Sequence, residues 1–147
     1  MVIPTMENPQ PQANATKIQS IIAQFQACRA AFHTAPDAET LWRHSPMSAA
    51  DATLAQLSEP SFATDQEITL IKIYNSKAQA CQQNLLDALS SAMPRLVPPI
   101  STSFTERADQ VARLEDHEIT WGEFNTRLRR SAIELRATIK ALTGGGI

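Results

Sequence analysis

The two cysteines are the residues most able to do chemistry, and their positions indicate whether they form a disulfide or remain free thiols. Cys28 and Cys81 each fall on the apolar stripe of a different predicted helix, so that their side chains can face each other. We expect a disulfide between them, which requires an oxidising compartment such as a bacterial periplasm; two buried free thiols are the alternative. Neither cysteine has a CxxC partner or an adjacent histidine, and an apolar setting disfavours the reactive thiolate, so we expect no catalytic thiol.

The three histidines, His33, His44 and His117, stand apart from one another. None has another strong metal ligand three or four residues away on a predicted helix, and we therefore predict no metal site. Histidines at the surface or at helix ends are the simpler interpretation. His33 is well placed to interact with the carbonyl end of the first helix.

The sequence carries no recognisable catalytic or cofactor-binding motif. It lacks GxSxG, HExxH and a phosphate-binding glycine loop, and we predict no cofactor. Asp116, Glu118 and Glu123 cluster where the last helix begins, and helix capping explains them. We predict that the protein is not an enzyme; the alternative is a site whose residues meet only in three dimensions.

Two groups of residues are candidates for contact with a partner. The last helix has a basic side that includes Arg127 and Arg130, which is either a solvated face or a docking surface for an acidic partner. In the stretch Trp42-Arg43-His44, a tryptophan stands beside an arginine, and these residue types are enriched at binding hot spots. Packing of Trp42 into the core is the alternative.

The element that must position these residues is a long helix over residues 64–93. Thr64 and Glu67 form a capping box at its start, and Pro94 stops it. A narrow apolar seam follows steps of three and four along one side. The seam consists of Ile71, Tyr74, Ala78, Cys81, Leu85, Ala88 and Ala92. A helix of this length is longer than a small domain is wide, so other helices must lie along it.

The remaining segments complete a helical bundle. We predict a flexible, proline-rich arm over residues 1–13, a first helix over 15–33, and a crossover of two short helical pieces over 34–63. Three prolines predict an extended strap over 94–99, after which a helix resumes near Ser103 and breaks at 116–118. The last helix has a capping box at Thr120 and Glu123, and its buried face runs from Trp121 to Leu142. It ends at Gly144, leaving a flexible tail over 144–147.

No segment alternates with period two, so the predicted fold class is all-α: a single helical-bundle domain over residues 14–143, with about four main helices and short helical crossover segments. The chain of 147 residues is 43% hydrophobic, which suits one globular domain. A net charge of −2 without a basic stripe disfavours nucleic acid as a partner. No apolar run approaches the roughly 20 residues that span a bilayer, so we expect no membrane insertion.

One stretch resembles a known family. Over about residues 108–135 the chain is similar to the SHOCT-type short C-terminal helical hairpin of many bacterial proteins, and to stretches of exported bacterial proteins. The residues that carry the resemblance are Leu114, Ile119, Thr120, Glu123, Phe124 and Arg127. The family usually has a glycine in the turn, where this chain has His117-Glu118. The resemblance implies a bacterial source and an oligomerisation or docking hairpin, and it implies no catalytic residue.

These observations lead to two functional hypotheses. The first is a non-enzymatic, exported bacterial protein, periplasmic or secreted, that binds another protein as an inhibitor or immunity-type partner. The second is a helical bundle that binds a small molecule or a lipid in a cavity between its helices. The predicted partner-binding residues are Trp42, Arg43, His44, Arg127 and Arg130.

Overall fold

Every regular element of the described residues is helical, as the sequence predicts. The structure, a computed structural model, describes residues 11–144, and side chains from residue 15 onward. The six α-helices of this part of the chain are α1 Pro11–His33, α2 Glu39–Trp42, α3 Leu54–Leu57, α4 Asp65–Ala92, α5 Val97–Glu115 and α6 Trp121–Thr143. Single 3₁₀ turns lie at Pro36–Ala38, Ala49–Asp51 and Pro94–Leu96. No described helix is both long enough and apolar enough to cross a membrane.

Helix α4 begins at the capping box that the sequence predicts. The Thr64 hydroxyl accepts a hydrogen bond from the Glu67 backbone N–H at 3.1 Å, and the Glu67 carboxylate accepts one from the Thr64 N–H at 2.9 Å. Two N–H groups that have no partner within the helix are thereby satisfied. The helix is about 42 Å long at 1.5 Å per residue. Of the predicted seam, Ile71, Tyr74, Cys81 and Leu85 are buried and the three alanines are partly buried, while Leu70 and Leu89, outside the seam, are buried too.

The other three long helices lie along α4 and each other. Helix α1 packs against α4, α5 packs against α4, and α6 packs against α5. The apolar core has two parts, one at each end of the bundle. The first joins the start of α4, the end of α5, the start of α6 and the crossover, and its members include Leu41, Ile71, Leu114 and Phe124. The second joins the start of α1 and the opposite ends of the other three helices, and its members include Ile18, Leu89, Ile100 and Leu135.

The predicted extended strap over residues 94–99 is wrong. Pro94–Leu96 form a 3₁₀ turn and α5 already begins at Val97, well before Ser103. Pro98 and Pro99 lie in the first turn of α5, where a backbone N–H has no helical acceptor and the fixed φ of proline suits the helix. Prolines that would break a helix interior therefore start this one.

The ends of the bundle follow the sequence in part. Helix α1 begins at Pro11, so residues 11–13 of the predicted arm are helical, while residues 1–10 lie outside the described residues. Gly144 ends α6 with a left-handed φ of 68°, the conformation that glycine adopts without strain. Residues 145–147 of the predicted tail also lie outside the described residues.

The crossover is fixed to the start of α6 through backbone atoms. The N–H groups of Trp121 and Gly122 donate to the carbonyl oxygens of Ser61 and Glu59, each at 2.9 Å. A Cβ atom at Gly122 would lie 2.6 Å from the Glu59 oxygen and 2.8 Å from the Glu59 nitrogen. The crossover can approach this closely only because residue 122 has no side chain.

We predict that Gly122→Ala lowers the free energy of unfolding by about 1–3 kcal/mol, because the new methyl group displaces the Glu59 backbone. Urea denaturation measures the change. Gly144→Ala is the matched control: a Cβ there meets no atom within 4 Å, and only the positive φ opposes it, at about 1 kcal/mol. A loss at Gly122 no larger than the loss at Gly144 would contradict the close approach.

Cys28 and Cys81 form the predicted disulfide, with their Cα atoms 5.9 Å apart. The bridge joins α1 to the middle of α4 and closes a loop between residues 53 positions apart.

We predict that replacing both cysteines by serine lowers the free energy of unfolding by about 4 kcal/mol, chiefly because the unfolded chain gains conformational freedom. The measurement is urea denaturation of the double variant beside the oxidised and reduced wild-type protein. A double variant as stable as the oxidised protein would rule out this stabilisation.

Candidate functional site

A pocket lies where five helices meet the crossover. Its walls come from α1, α2, α4, α5 and α6, and it encloses about 80 Å³. We call it the arginine pocket, after two of its most distinctive residues. The polar and aromatic side chains that define it are Arg29, His33, Trp42, Tyr74, Arg107 and Trp121.

Helical spacing explains why charged residues line an otherwise apolar space. On α1, Arg29 lies three and four residues before Phe32 and His33, which places all three on one face. On α5, Arg107 lies four and seven residues before Val111 and Leu114. Each arginine thus continues the inward stripe of its helix and lines the pocket while remaining partly exposed to solvent.

Aromatic rings form one wall of the arginine pocket. The rings of His33 and Trp42 stack with centroids 3.7 Å apart, and Tyr74 meets Trp42 edge-on at 5.7 Å. The Tyr74 hydroxyl donates a hydrogen bond to the Asp37 carboxylate at 2.9 Å. Burial raises the pKa of Tyr74, and the bond to Asp37 and its charge raise it further, so the phenol stays neutral. The indole N–H of Trp42 is buried and has no acceptor among the described residues.

The two arginines bring positive charge into this space, and neither pairs with a carboxylate in the part of the chain that the structure describes. Arg29 donates to the Met47 carbonyl oxygen at 2.6 Å and lies over the Phe25 ring at 5.6 Å. Arg107 is partly buried, and among residues 11–144 it has neither a hydrogen bond nor an ion pair. Burial, and then the like charge of Arg29, lower the pKa of Arg107 to about 10, so it remains charged at neutral pH. Burial also lowers the pKa of Arg29.

The positive charges of the two arginines also affect the pKa of His33. Burial lowers its pKa below the ordinary value of 6.5, and the charges of Arg29 and Arg107 act in the same direction. The imidazole is therefore mainly neutral at pH 7. The net charge at the arginine pocket comes from the two guanidinium groups.

A second polar cluster, which we call the His44 clamp, consists of His44, Glu59, Glu67 and Trp121. The Nδ1 and Nε2 atoms of His44 lie 2.6 and 2.7 Å from Oε2 of Glu59 and of Glu67. Both contacts are hydrogen bonds only when both ring nitrogens carry protons. The imidazole also stacks on the Trp121 ring at 4.8 Å, and the indole N–H donates to Glu67 at 3.4 Å.

Asn125 adds a further attachment for the crossover. Its side-chain amide N–H groups donate to the carbonyl oxygens of His44 at 2.6 Å and of Gln56 at 2.9 Å. Its own Oδ1 is buried without a hydrogen-bond donor among the described residues. The clamp and Asn125 together hold in place the segment that carries Trp42.

In the arginine pocket, the side chains offer hydrogen-bond donors, positive charge and ring faces. The two cysteines are joined to each other, which removes them as nucleophiles. Among the residues that the structure describes, no group of three His, Cys, Asp or Glu side chains is arranged to hold a metal ion.

The structure separates the residues predicted to bind a partner. Trp42 lies in the wall of the arginine pocket, and His44 is engaged in the clamp. Arg43 and Arg130 are exposed. Arg127 is partly buried and donates to the Gln110 side chain at 3.1 Å.

The pocket contains three residues that are not among the predicted site residues, Arg29, Arg107 and Tyr74, and it also contains His33, which is predicted only to interact with a helix end. A signal was available, because Arg29 and Arg107 stand three or four residues from inward apolar positions. A charged residue in that register either extends past the core or enters it, and the sequence does not distinguish these outcomes.

Comparison with known proteins gives no significant match to a protein-family model, a curated protein or a solved structure. The similarity to the SHOCT-type hairpin therefore stays a prediction.

The position of His33 predicts a pH dependence of stability. Between pH 7 and 5 the imidazole takes up a proton at its ordinary pKa in the unfolded chain, whereas its lowered pKa delays protonation in the folded protein. Because the unfolded state binds more protons in this range, the free energy of unfolding falls as the pH falls. We expect His33→Gln to reduce this slope, as measured by urea denaturation at pH 5, 6 and 7. His117→Gln, outside the pocket, is the control for loss of a histidine. Equal slopes for wild type and His33→Gln would contradict the assignment.

Proposed function

We propose that this chain is a binding protein that holds one small organic molecule in the arginine pocket. The observation that carries the proposal is the convergence of side chains from five helices on a space that the core leaves unfilled. Protein interiors leave few voids larger than a water molecule. Ligand sites are mostly apolar, with a few polar groups at fixed positions, and this pocket has that composition.

The size of the pocket limits the ligand. The enclosed volume of about 80 Å³ is smaller than the roughly 150 Å³ cavity that holds a benzene ring. We therefore expect a ligand built on a single ring, part of which remains exposed to solvent. A lipid chain does not suit a space of this volume.

The geometry favours a small ligand over the protein partner that the sequence analysis put first. A hot-spot side chain has to reach the partner, whereas Trp42 and His44 are engaged in interior contacts. The exposed Arg43 and Arg130 leave the hypothesis of an inhibitor or immunity-type protein as a prediction. The docking hairpin implied by the SHOCT resemblance also stays a prediction.

We further propose that the protein acts outside the cytoplasm, in a periplasm or after secretion. The disulfide between Cys28 and Cys81 supports this location, because reducing systems keep most cytoplasmic cysteines as thiols.

The test fills the arginine pocket from within. Ala78 lines the pocket on α4, and Ala80 on the same helix is exposed. We predict that ligand-observed NMR with a library of single-ring compounds identifies binders of the wild-type protein and of Ala80→Phe, and that Ala78→Phe abolishes their binding. Circular dichroism establishes that both variants are folded. A library without binders, or binders that Ala78→Phe leaves unaffected, would count against the proposal.

A further inference from the structure

We propose that the ligand of the arginine pocket is a small organic anion, with a carboxylate, sulfonate or phosphate group on a flat apolar body. This inference rests on the proposed function, because it specifies the chemistry of the molecule that occupies the same pocket. It is carried by the charges that line the space and by the aromatic side chains beside them.

The two arginines of the pocket lack a counter-charge among the described residues. A guanidinium taken out of water is normally paired with a carboxylate, since an isolated buried charge is costly. Arg107 has no such partner, and Arg29 bonds only to a neutral carbonyl oxygen among the described residues. The two like charges also lie close enough to influence each other. An anion in the pocket would supply the charge that the described residues do not provide.

The N–H donors of the two guanidinium groups suit an anionic group. A guanidinium presents several N–H donors in a fixed plane, which matches the oxygens of a carboxylate, sulfonate or phosphate. Arg107 has all of these donors free of protein hydrogen bonds in the described part of the chain, and Arg29 uses one nitrogen for Met47. Side chains from two helices, α1 and α5, therefore offer donors to one bound group.

The aromatic side chains suit the apolar body of the ligand. His33 and Trp42 stack on each other and Tyr74 meets Trp42 edge-on, so ring faces and edges line the pocket and can pack against a planar group. His33 is mainly neutral at pH 7, so these rings add little charge of their own. Among the side chains that the structure describes, none that lines the pocket is a carboxylate that would repel an anion.

The experiment compares probes that have nearly the same shape and differ in charge. Benzoate and benzamide are the matched pair, and benzenesulfonate and phenyl phosphate extend the series of anions. We expect titration calorimetry to show benzoate binding with a 1:1 ratio and at least about tenfold more tightly than benzamide, because hydrogen bonds to a charged acceptor are stronger. The order among the three anions identifies the preferred anionic group.

Variants test whether the affinity for benzoate depends on Arg107 itself or on the overall charge of the protein. Arg107→Met keeps an unbranched stem and removes the charge, so benzoate affinity is expected to fall about tenfold or more while benzamide affinity changes little. Arg130→Met, on the exposed side of α6, is the matched control and is expected to bind both probes as the wild type does. Arg107→Lys retains a positive charge without the planar donors, and gives a second measurement if Arg107→Met does not fold.

A spectroscopic readout is independent of affinity. Bound benzoate offsets the two positive charges near His33, so the NMR titration midpoint of this imidazole is expected to rise when benzoate saturates the protein. Benzamide, which carries no charge, is expected to leave the midpoint where it is.

The outcomes distinguish this inference from the proposed function. If benzamide binds as tightly as benzoate and Ala78→Phe abolishes both, the pocket binds ligands but the anion inference is overturned. If Arg107→Met and Arg107→Lys bind benzoate as tightly as the wild type does, the assignment to this arginine is overturned. If no single-ring probe, charged or neutral, binds at millimolar concentration, both proposals fail.

Discussion

The carboxylate of Glu67 is the point on which three segments of this protein depend. It accepts a hydrogen bond from the Thr64 N–H at the start of α4, it pairs with His44 of the crossover, and it accepts the indole N–H of Trp121 at the start of α6. Burial by itself would raise the pKa of Glu67, but the Thr64 bond, the His44 charge and the Trp121 bond together outweigh burial and lower it. The buried carboxylate is therefore held in its charged form, which lets it join a helix cap, a loop and a second helix.

The arginine pocket depends on the same junction. Trp42, which forms part of its wall, is two residues before His44, and the clamp fixes the crossover on which both stand. Close backbone contact at Gly122 and the bonds from Asn125 attach the crossover at further points. The crossover has no long helix and no sheet partner, so side-chain and cap interactions replace the ladder of hydrogen bonds that a regular element would provide.

The sequence predicted the parts of this structure that depend on local signals. The seam of α4, the capping boxes at Thr64 and Thr120 and the disulfide all follow from spacing within one helix or between two stripes. The prolines after Ala92 predict an extended strap but begin a helix, because the same residue breaks the inside of a helix and suits its first turn. The His44 clamp could not be predicted, since its two carboxylates are brought to His44 by the path of an irregular crossover.

The disulfide also bears on how firmly the arginine pocket is held. Cys28 immediately precedes Arg29, and Phe32 and His33 follow one turn later, so the covalent bond to α4 lies at the edge of the wall that α1 contributes. The disulfide therefore joins the residues of α1 that line the pocket to α4, the helix that carries Tyr74. A ligand that enters such a pocket has less conformational freedom to remove from the protein, and binding is correspondingly less costly in entropy. The bridge thus preorganises the pocket, in addition to limiting the unfolded chain.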